Sequence, residues 1–341
     1  MGIKPIPLFM LSAWIKAGAK CGFNVQPLFK EAGIKIDLIR LEDARVSPLQ
    51  LISLLEQCVA LSPDKHFPFV LGDTFAFESL PEFETLLTTS PTLREALRVA
   101  DLAKRMVLPW LTLDVKEEGE LARVCVGFDV PVPNVAAYGL PLHLVTEAIL
   151  ACIRKFGRTL QGSDLGFVAV TVKGAPPKYA ASFEPFFGVP VTFNAPADAL
   201  VFERRILDLP LEGAFPALHE QAQFLAEQRL GKEARRQGVA AEIEELITRE
   251  PNLLALGVED MADRLNLHPR TLQRRLKDEG DSYLHVQARM RHRLACQWLK
   301  QGDISIDDIS ARLGFSDRRA FTAAFKRWEG ATPSAWREQQ N

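Results

Sequence analysis

The sequence predicts two domains of different class, a mixed α/β domain over residues 1–211 and an all-α domain over 240–341, joined by a helical segment over 212–239. Three observations predict this. A chain of 341 residues exceeds what one small helical module needs. Its first two-thirds alternates helical periods with short β-rich runs. Its C-terminal third carries two pairs of short amphipathic helices, each pair meeting at a residue that tolerates left-handed backbone.

The α/β region runs from Pro7 to about Pro210. Pro48 to Leu61 has a helical period, with Leu51, Leu54, Leu55 and Val59 on one side. Ser90-Pro-Thr-Leu-Arg-Glu-Ala-Leu97 is a helix start: Ser90 or Thr92 can cap, and Glu95 stands three residues past Thr92. The runs from Trp110 to Val115 and Leu121 to Phe128 flank Glu117-Glu-Gly-Glu120, the pattern of a β-hairpin. Tyr138 to Phe156 reads as a long helix and Gly166 to Val172 as an apolar strand. A short helix is expected between Pro176 and Gly188, then strands at Val191 and at Ala199 to Phe202.

Between the domains, Leu211, Phe215, Leu218, Ala222 and Leu225 recur at alternating four- and three-residue steps. They suit either a dimer seam or packing on the chain's own domain. Gln237-Gly238 ends this stretch.

In the first C-terminal helix pair, Val258, Met261, Ala262 and Leu265 face inward and Asn266 takes the turn. Pro269 suits the first turn of the next helix. There Leu272 and Leu276 face in, while Arg270, Gln273 and Arg274 face out. A long helical pattern follows from Tyr283 to Gln301. In the second pair, Ile306, Ile309 and Leu313 form one apolar face and Phe315, Phe321, Phe325 and Trp328 the other, with Gly314 at the turn. Arg318 and Arg319 open the second helix, away from Phe321 and Phe325. Apolar residues that hold a helix to the body, with base-reading side chains at its start, describe a recognition helix for the DNA major groove. Lys326, Arg327 and Arg337 are suited to phosphate contacts, which add affinity and salt dependence without sequence choice.

The segments Leu-Gly-Phe-Ser-Asp317, Phe321-x-x-x-Phe-Lys-Arg-Trp328 and Gly330-x-Thr-Pro-Ser-x-Trp-Arg337 resemble the AraC/XylS family of bacterial transcription regulators, over roughly Leu246 to Glu338. The resemblance implies seven helices, with a long middle helix separating two recognition helices that enter successive major grooves on one DNA face. Carried over by position, it implies base contacts from Arg270, Gln273, Arg274, Arg318 and Arg319. Ala323 departs from the pattern, standing where some relatives carry a long polar side chain. It cannot hydrogen-bond a base, though its methyl can touch a thymine, so base reading by the second helix is expected to rest on its first turn.

Upstream, Thr89 to Leu97, Phe187-Gly-Val-Pro-Val-Thr-Phe-Asn194 and Ala199 to Leu211 resemble the arabinose-binding-type regulatory domain that precedes many such modules. That label does not identify arabinose as the ligand.

Charge and cysteines agree with this reading. From Ala255 onward there are 15 Lys+Arg against 12 Asp+Glu, while the remainder holds 26 against 31. A basic end on an acidic body suits a local DNA surface. The five cysteines, Cys21, Cys58, Cys125, Cys152 and Cys296, are scattered without a Cys-x-x-Cys pair, so no zinc site and no cofactor are expected. The same scatter counts against DNA-repair methyl acceptors fused to such a module. An odd cysteine count, with neither a signal peptide nor a membrane-length apolar stretch, leads us to expect a cytoplasmic protein with reduced thiols.

No nucleophile elbow, P-loop, dinucleotide fingerprint or metal-spaced His/Cys cluster is present, so no enzyme is expected. His66, His143 and His219 are isolated in sequence and read as packing or surface residues. Eighteen of the 21 Phe precede the C-terminal module. They fill a core or line a cavity for a small, mainly apolar effector, oriented by polar groups such as Arg94 or Tyr179. The function expected is a homodimeric, ligand-responsive regulator that binds promoter DNA and recruits or blocks RNA polymerase. The alternatives are an enzyme, or a constitutive DNA-binding protein, whose C-terminal module only targets it to DNA.

Overall fold

A computed structural model describes residues 6–34, 45–128, 141–162 and 166–340. The chain divides into two compact units, Met1–Ala226 and Glu227–Asn341.

In the first unit, strand β1 (Ile6–Pro7) pairs antiparallel with β2 (Arg45–Val46). Helices α1 (Leu11–Cys21), α2 (Gln26–Glu31), α3 (Pro48–Ala60), α4 (Phe67–Thr74) and α5 (Pro81–Thr88) lead to α6 (Leu93–Val107). Ser47 caps α3 with a reciprocal Gln50 bond, and Leu51, Leu54 and Leu55 are buried as their period requires. Thr92 is the residue that caps α6, accepting from the Glu95 N–H at 3.3 Å. Strands β3 (Leu111–Glu118) and β4 (Leu121–Phe128) form the expected hairpin about Gly119 and Glu120. The long helix α7 runs Leu142–Gln161, so the Tyr138 end of the expected span lies outside the described residues. Then come β5 (Phe167–Thr171), α8 (Phe183–Phe187), β6 (Val191–Thr192) and β7 (Asp198–Glu203). They complete a five-stranded sheet of order β3-β4-β7-β5-β6, antiparallel except for β5 beside β6.

The core of this unit is aromatic. Trp14, Phe29, Phe67, Phe83, Phe183 and Phe187 are fully buried. At one edge lies a polar cluster that the sequence did not reveal. The His66 Nε2 is 2.5 Å from a carboxylate oxygen of Glu147, and the Tyr179 hydroxyl donates to the other at 3.1 Å. The rings of His66 and Tyr179 stack at 4.1 Å, and Phe69 and Phe183 close around them. Burial, with the adjacent Glu147 carboxylate, pushes the Tyr179 hydroxyl well above its ordinary value. Arg94 is not part of this cluster. It pairs with Asp208 at 2.6 Å and Glu117 at 2.5 Å.

Helix α9 (Pro216–Gln237) crosses the division between the units and ends where Gln237-Gly238 was expected to end it. The apolar seam splits. Leu211 and Ala222 are buried, whereas Phe215, Leu218 and Leu225 are 59%, 41% and 53% exposed, together with Phe224 at 61%.

The second unit holds α10 (Val239–Arg249), α11 (Val258–Arg264), α12 (Pro269–Asp278), α13 (Tyr283–Gln301), α14 (Ile306–Arg312), α15 (Arg318–Glu329) and α16 (Pro333–Gln340), the seven helices that the resemblance implied. One continuous core runs through them, from Ile243 and Ile247 past Met261, Leu272, Met290 and Leu294 to Leu313, Phe321 and Phe325.

Candidate nucleic-acid interface

Helices α11 and α12 form the first helix-turn-helix, α14 and α15 the second. Both turns use left-handed backbone, with φ of 53° at Asn266 and 74° at Gly314. The N–H of the next residue closes each turn, Leu267 onto Ala262 at 2.8 Å and Phe315 onto Ser310 at 3.1 Å. Each recognition helix has an N-cap. His268 Nδ1 accepts from the Arg270 N–H at 3.3 Å, and Asp317 accepts from the Ala320 N–H at 2.7 Å. That backbone bond holds the Asp317 carboxyl below its ordinary value.

Burial fixes the rotation of both helices. Leu272 and Leu276 are buried in α12, and Phe321 and Phe325 in α15. Superposing these pairs along the sequence matches Arg270 to Arg319, Gln273 to Thr322, Arg274 to Ala323 and Lys277 to Lys326. At 3.6 residues per turn, the face opposite the buried pair is Arg270, Arg274 and Lys277 in α12. In α15 it is Arg319, Ala323 and Lys326. All six are exposed. Lys277 is a member of this face that the sequence reading passed over; its signal was a place one turn beyond Arg274. Gln273 is exposed on the flank of α12.

Arg318 lies on the flank of α15 and pairs with Asp307 of α14 at 3.1 Å. Both partners are more than half exposed, and such a surface pair contributes about 0–1 kcal/mol. It is therefore easily exchanged for another partner. Arg327 is exposed. Arg337, expected at the phosphates, turns inward instead and donates to the Ile304 carbonyl at 2.7 Å, tying α16 to the loop before α14.

Several groups hold this surface in place. The Arg291 guanidinium donates to the carbonyls of Leu313 and Leu254 at 2.9 and 3.2 Å and lies over the Phe315 ring, fixing the second turn from behind. Asp281, just past α12, accepts from Arg289 at 2.8 Å, and Arg289 also donates to Glu244 on α10. Burial opposes ionisation of Asp281, but Arg289 and the Ser282 N–H outweigh it and hold the carboxyl below its ordinary value. The Glu279 carboxylate, at the C-terminal end of α12, accepts from the Val239 and Ala240 N–H groups at 2.7 and 3.0 Å, capping α10. Gly238 makes room for it: φ is 114°, and a Cβ there would stand 2.7 Å from the carboxylate. At the far end of α15, Glu329 pairs with His292 on α13 at 2.6 Å and accepts from the Trp336 indole at 2.9 Å. Cys296 stands beside them, with ligating atoms of all three within 4.8 Å.

An exposed row of cations on two capped, well-anchored helices can bind phosphates and read base edges. The family model described as the arabinose-binding domain of AraC transcription regulators matches residues 22–211, and a helix-turn-helix domain model matches 261–339. The ornithine utilization regulator of Pseudomonas aeruginosa is 25% identical over 333 residues, covering 98% of this chain and 96% of that protein. The regulator VirS of Mycobacterium tuberculosis is 26% identical over 321 residues, covering 93% and 91%. The crystal structure of the regulator CdpR from P. aeruginosa aligns over 92% of this chain and 96% of its own, at 21% identity and a TM-score of 0.42. The chain belongs to the AraC family of DNA-binding transcription regulators, with an arabinose-binding-type domain ahead of its paired helix-turn-helix units.

Proposed function

We propose that this regulator reads two successive major grooves on one face of its promoter, and that a small molecule taken up by the first unit controls the outcome. The observation that carries the first half is the equivalence of the two outward faces, Arg270, Arg274 and Lys277 on α12 and Arg319, Ala323 and Lys326 on α15. In this reading Arg270, Gln273 and Arg274 meet bases in one groove, and Arg319 meets a base in the next. Arg318 joins it on leaving Asp307. Lys277, Lys326 and Arg327 contact phosphates. Footprinting tests this: two protected segments about 10 bp apart are expected, and a single short segment overturns it.

The effector is a small, mainly apolar metabolite. Supporting this is the aromatic core of the first unit, with Trp14, Phe29, Phe67, Phe183 and Phe187 all buried. Occupancy changes DNA affinity or contact with RNA polymerase, because the two states of the protein differ in affinity for the ligand. The exposed Leu218, Phe224 and Leu225 on α9 supply a surface for a homodimer. A thermal-shift screen of metabolites on the full chain tests the effector, and sedimentation at micromolar concentration tests the dimer.

A further inference from the structure

Ala323 occupies the position on α15 that Arg274 occupies on α12. Long polar side chains line the middle of the first reading face; a methyl group stands at the middle of the second. Around it the surface is hollow. Phe315, Ala320, Ala323, Lys326 and Arg327 line an open depression of about 720 Å³. Ala320 and Ala323 lie one turn apart and present only methyl groups. Cations frame them, with Arg319 one turn before Ala323 and Lys326 and Arg327 one turn after, all exposed. This surface matches a polyanion that carries an apolar protrusion. In the major groove the apolar group on a base edge is the thymine C5-methyl, and alanine is one of the side chains that contacts it.

We propose that Ala323, assisted by Ala320, forms a thymine-methyl site, so that the second helix-turn-helix selects a T·A pair at the middle of its segment where the first helix-turn-helix reads by hydrogen bonds. The proposal rests on the reading that α15 enters the major groove. Charge favours DNA over a protein partner here: the exposed Lys326 and Arg327 line the hollow, Arg319 stands one turn before Ala323, and a phosphate backbone flanks the groove on both sides. Arg319 and Lys326 then fix the register, and the alanine methyl meets the base between them.

The test uses the full chain and duplexes selected from a random pool by the unmodified protein. One position in the second protected segment is expected to be thymine in nearly all selected duplexes. Replacing that thymine by deoxyuridine, which removes only the methyl, is expected to weaken binding about fourfold, the equivalent of one methyl-sized apolar group. Ala323→Gly is expected to bring the thymine-to-uridine affinity ratio to about one. Ala323→Arg is expected to shift the selected base from thymine to guanine. Each ratio compares two duplexes on the same protein preparation, so partial loss of folded protein cancels. The proposal is overturned if no thymine in the second segment responds to uridine, or if the ratio in Ala323→Gly equals that of the unmodified protein. The latter result assigns the contact with the thymine methyl to a group other than Ala323. If the unmodified protein protects no second segment, the groove reading itself fails, and that is visible before any variant is made.

Discussion

The two reading units are built on one plan and differ in what they offer DNA. Each has a turn with left-handed backbone, a capped recognition helix and a buried pair four residues apart. The first buries leucines and presents two arginines and a lysine. The second buries phenylalanines and presents an arginine, an alanine and a lysine. Packing and reading are therefore separable in the proposed function: the inward positions determine where a helix sits, and the outward ones are the residues we propose to read DNA.

The largest way to break this comparison is through the inward pair. Phe321→Ala is expected to cost about 3–5 kcal/mol of folding stability, and Leu272→Ala about 2–5 kcal/mol, because each empties a fully buried site. Urea unfolding of the full chain, followed with and without DNA, measures both. If either substitution costs under about 1 kcal/mol, that helix is not anchored as described.

A second prediction concerns acid. The Asp281–Arg289 pair lies just past α12, beside the first helix-turn-helix. The Asp281 carboxyl is held below its ordinary value in the fold, so the unfolded chain takes up its proton first as pH falls. The stabilisation is complete above the ordinary value near 3.9 and is lost as pH drops through it toward the lower folded value. Asp281→Asn is expected to cost about 1.5–3 kcal/mol near neutrality, a difference that closes as pH falls below both the ordinary and the lower folded value. A pH-independent difference would mean that packing, not charge, holds this site.

Base reading comes next. Arg274→Ala and Arg319→Ala are each expected to cost on the order of 1–3 kcal/mol and to relax base preference, in the first and second protected segments respectively. An equal loss on all sequences marks a phosphate contact instead. The smallest effect is expected from Lys277→Ala and Lys326→Ala. Each is expected to weaken binding uniformly and to reduce the slope of log affinity against log salt by about 1.

Much of the second unit was legible because short-range rules govern it. Gly314 and Asn266 announced the turns, and the period of Leu272, Leu276, Phe321 and Phe325 gave the helix rotations. What stayed hidden depends on partners far away in sequence. Nothing near Arg337 marks Ile304 as its acceptor, and nothing near Glu279 marks Val239 and Ala240. The first unit follows the same division. Thr92, the hairpin at Gly119 and the period of α3 were local signals. The Glu147 cluster joins residues from α4's N-cap, α7 and the loop before α8, and each histidine and glutamate looks ordinary alone. The seam on α9 was ambiguous for a different reason, since periodicity marks apolar residues but not what covers them.

The Glu279 contact gives the two units different mechanical standing. Helix α10 starts just past Gly238, and there its first backbone N–H groups are hooked to the tail of α12. A tug or twist arriving along this tether reaches the first reading helix through two hydrogen bonds. Helix α15 is moored elsewhere, by Glu329 to α13 and α16 and by its buried phenylalanines. Both reading heads are bolted to the frame by their buried pairs, and one of them is strung to the start of α10 as well.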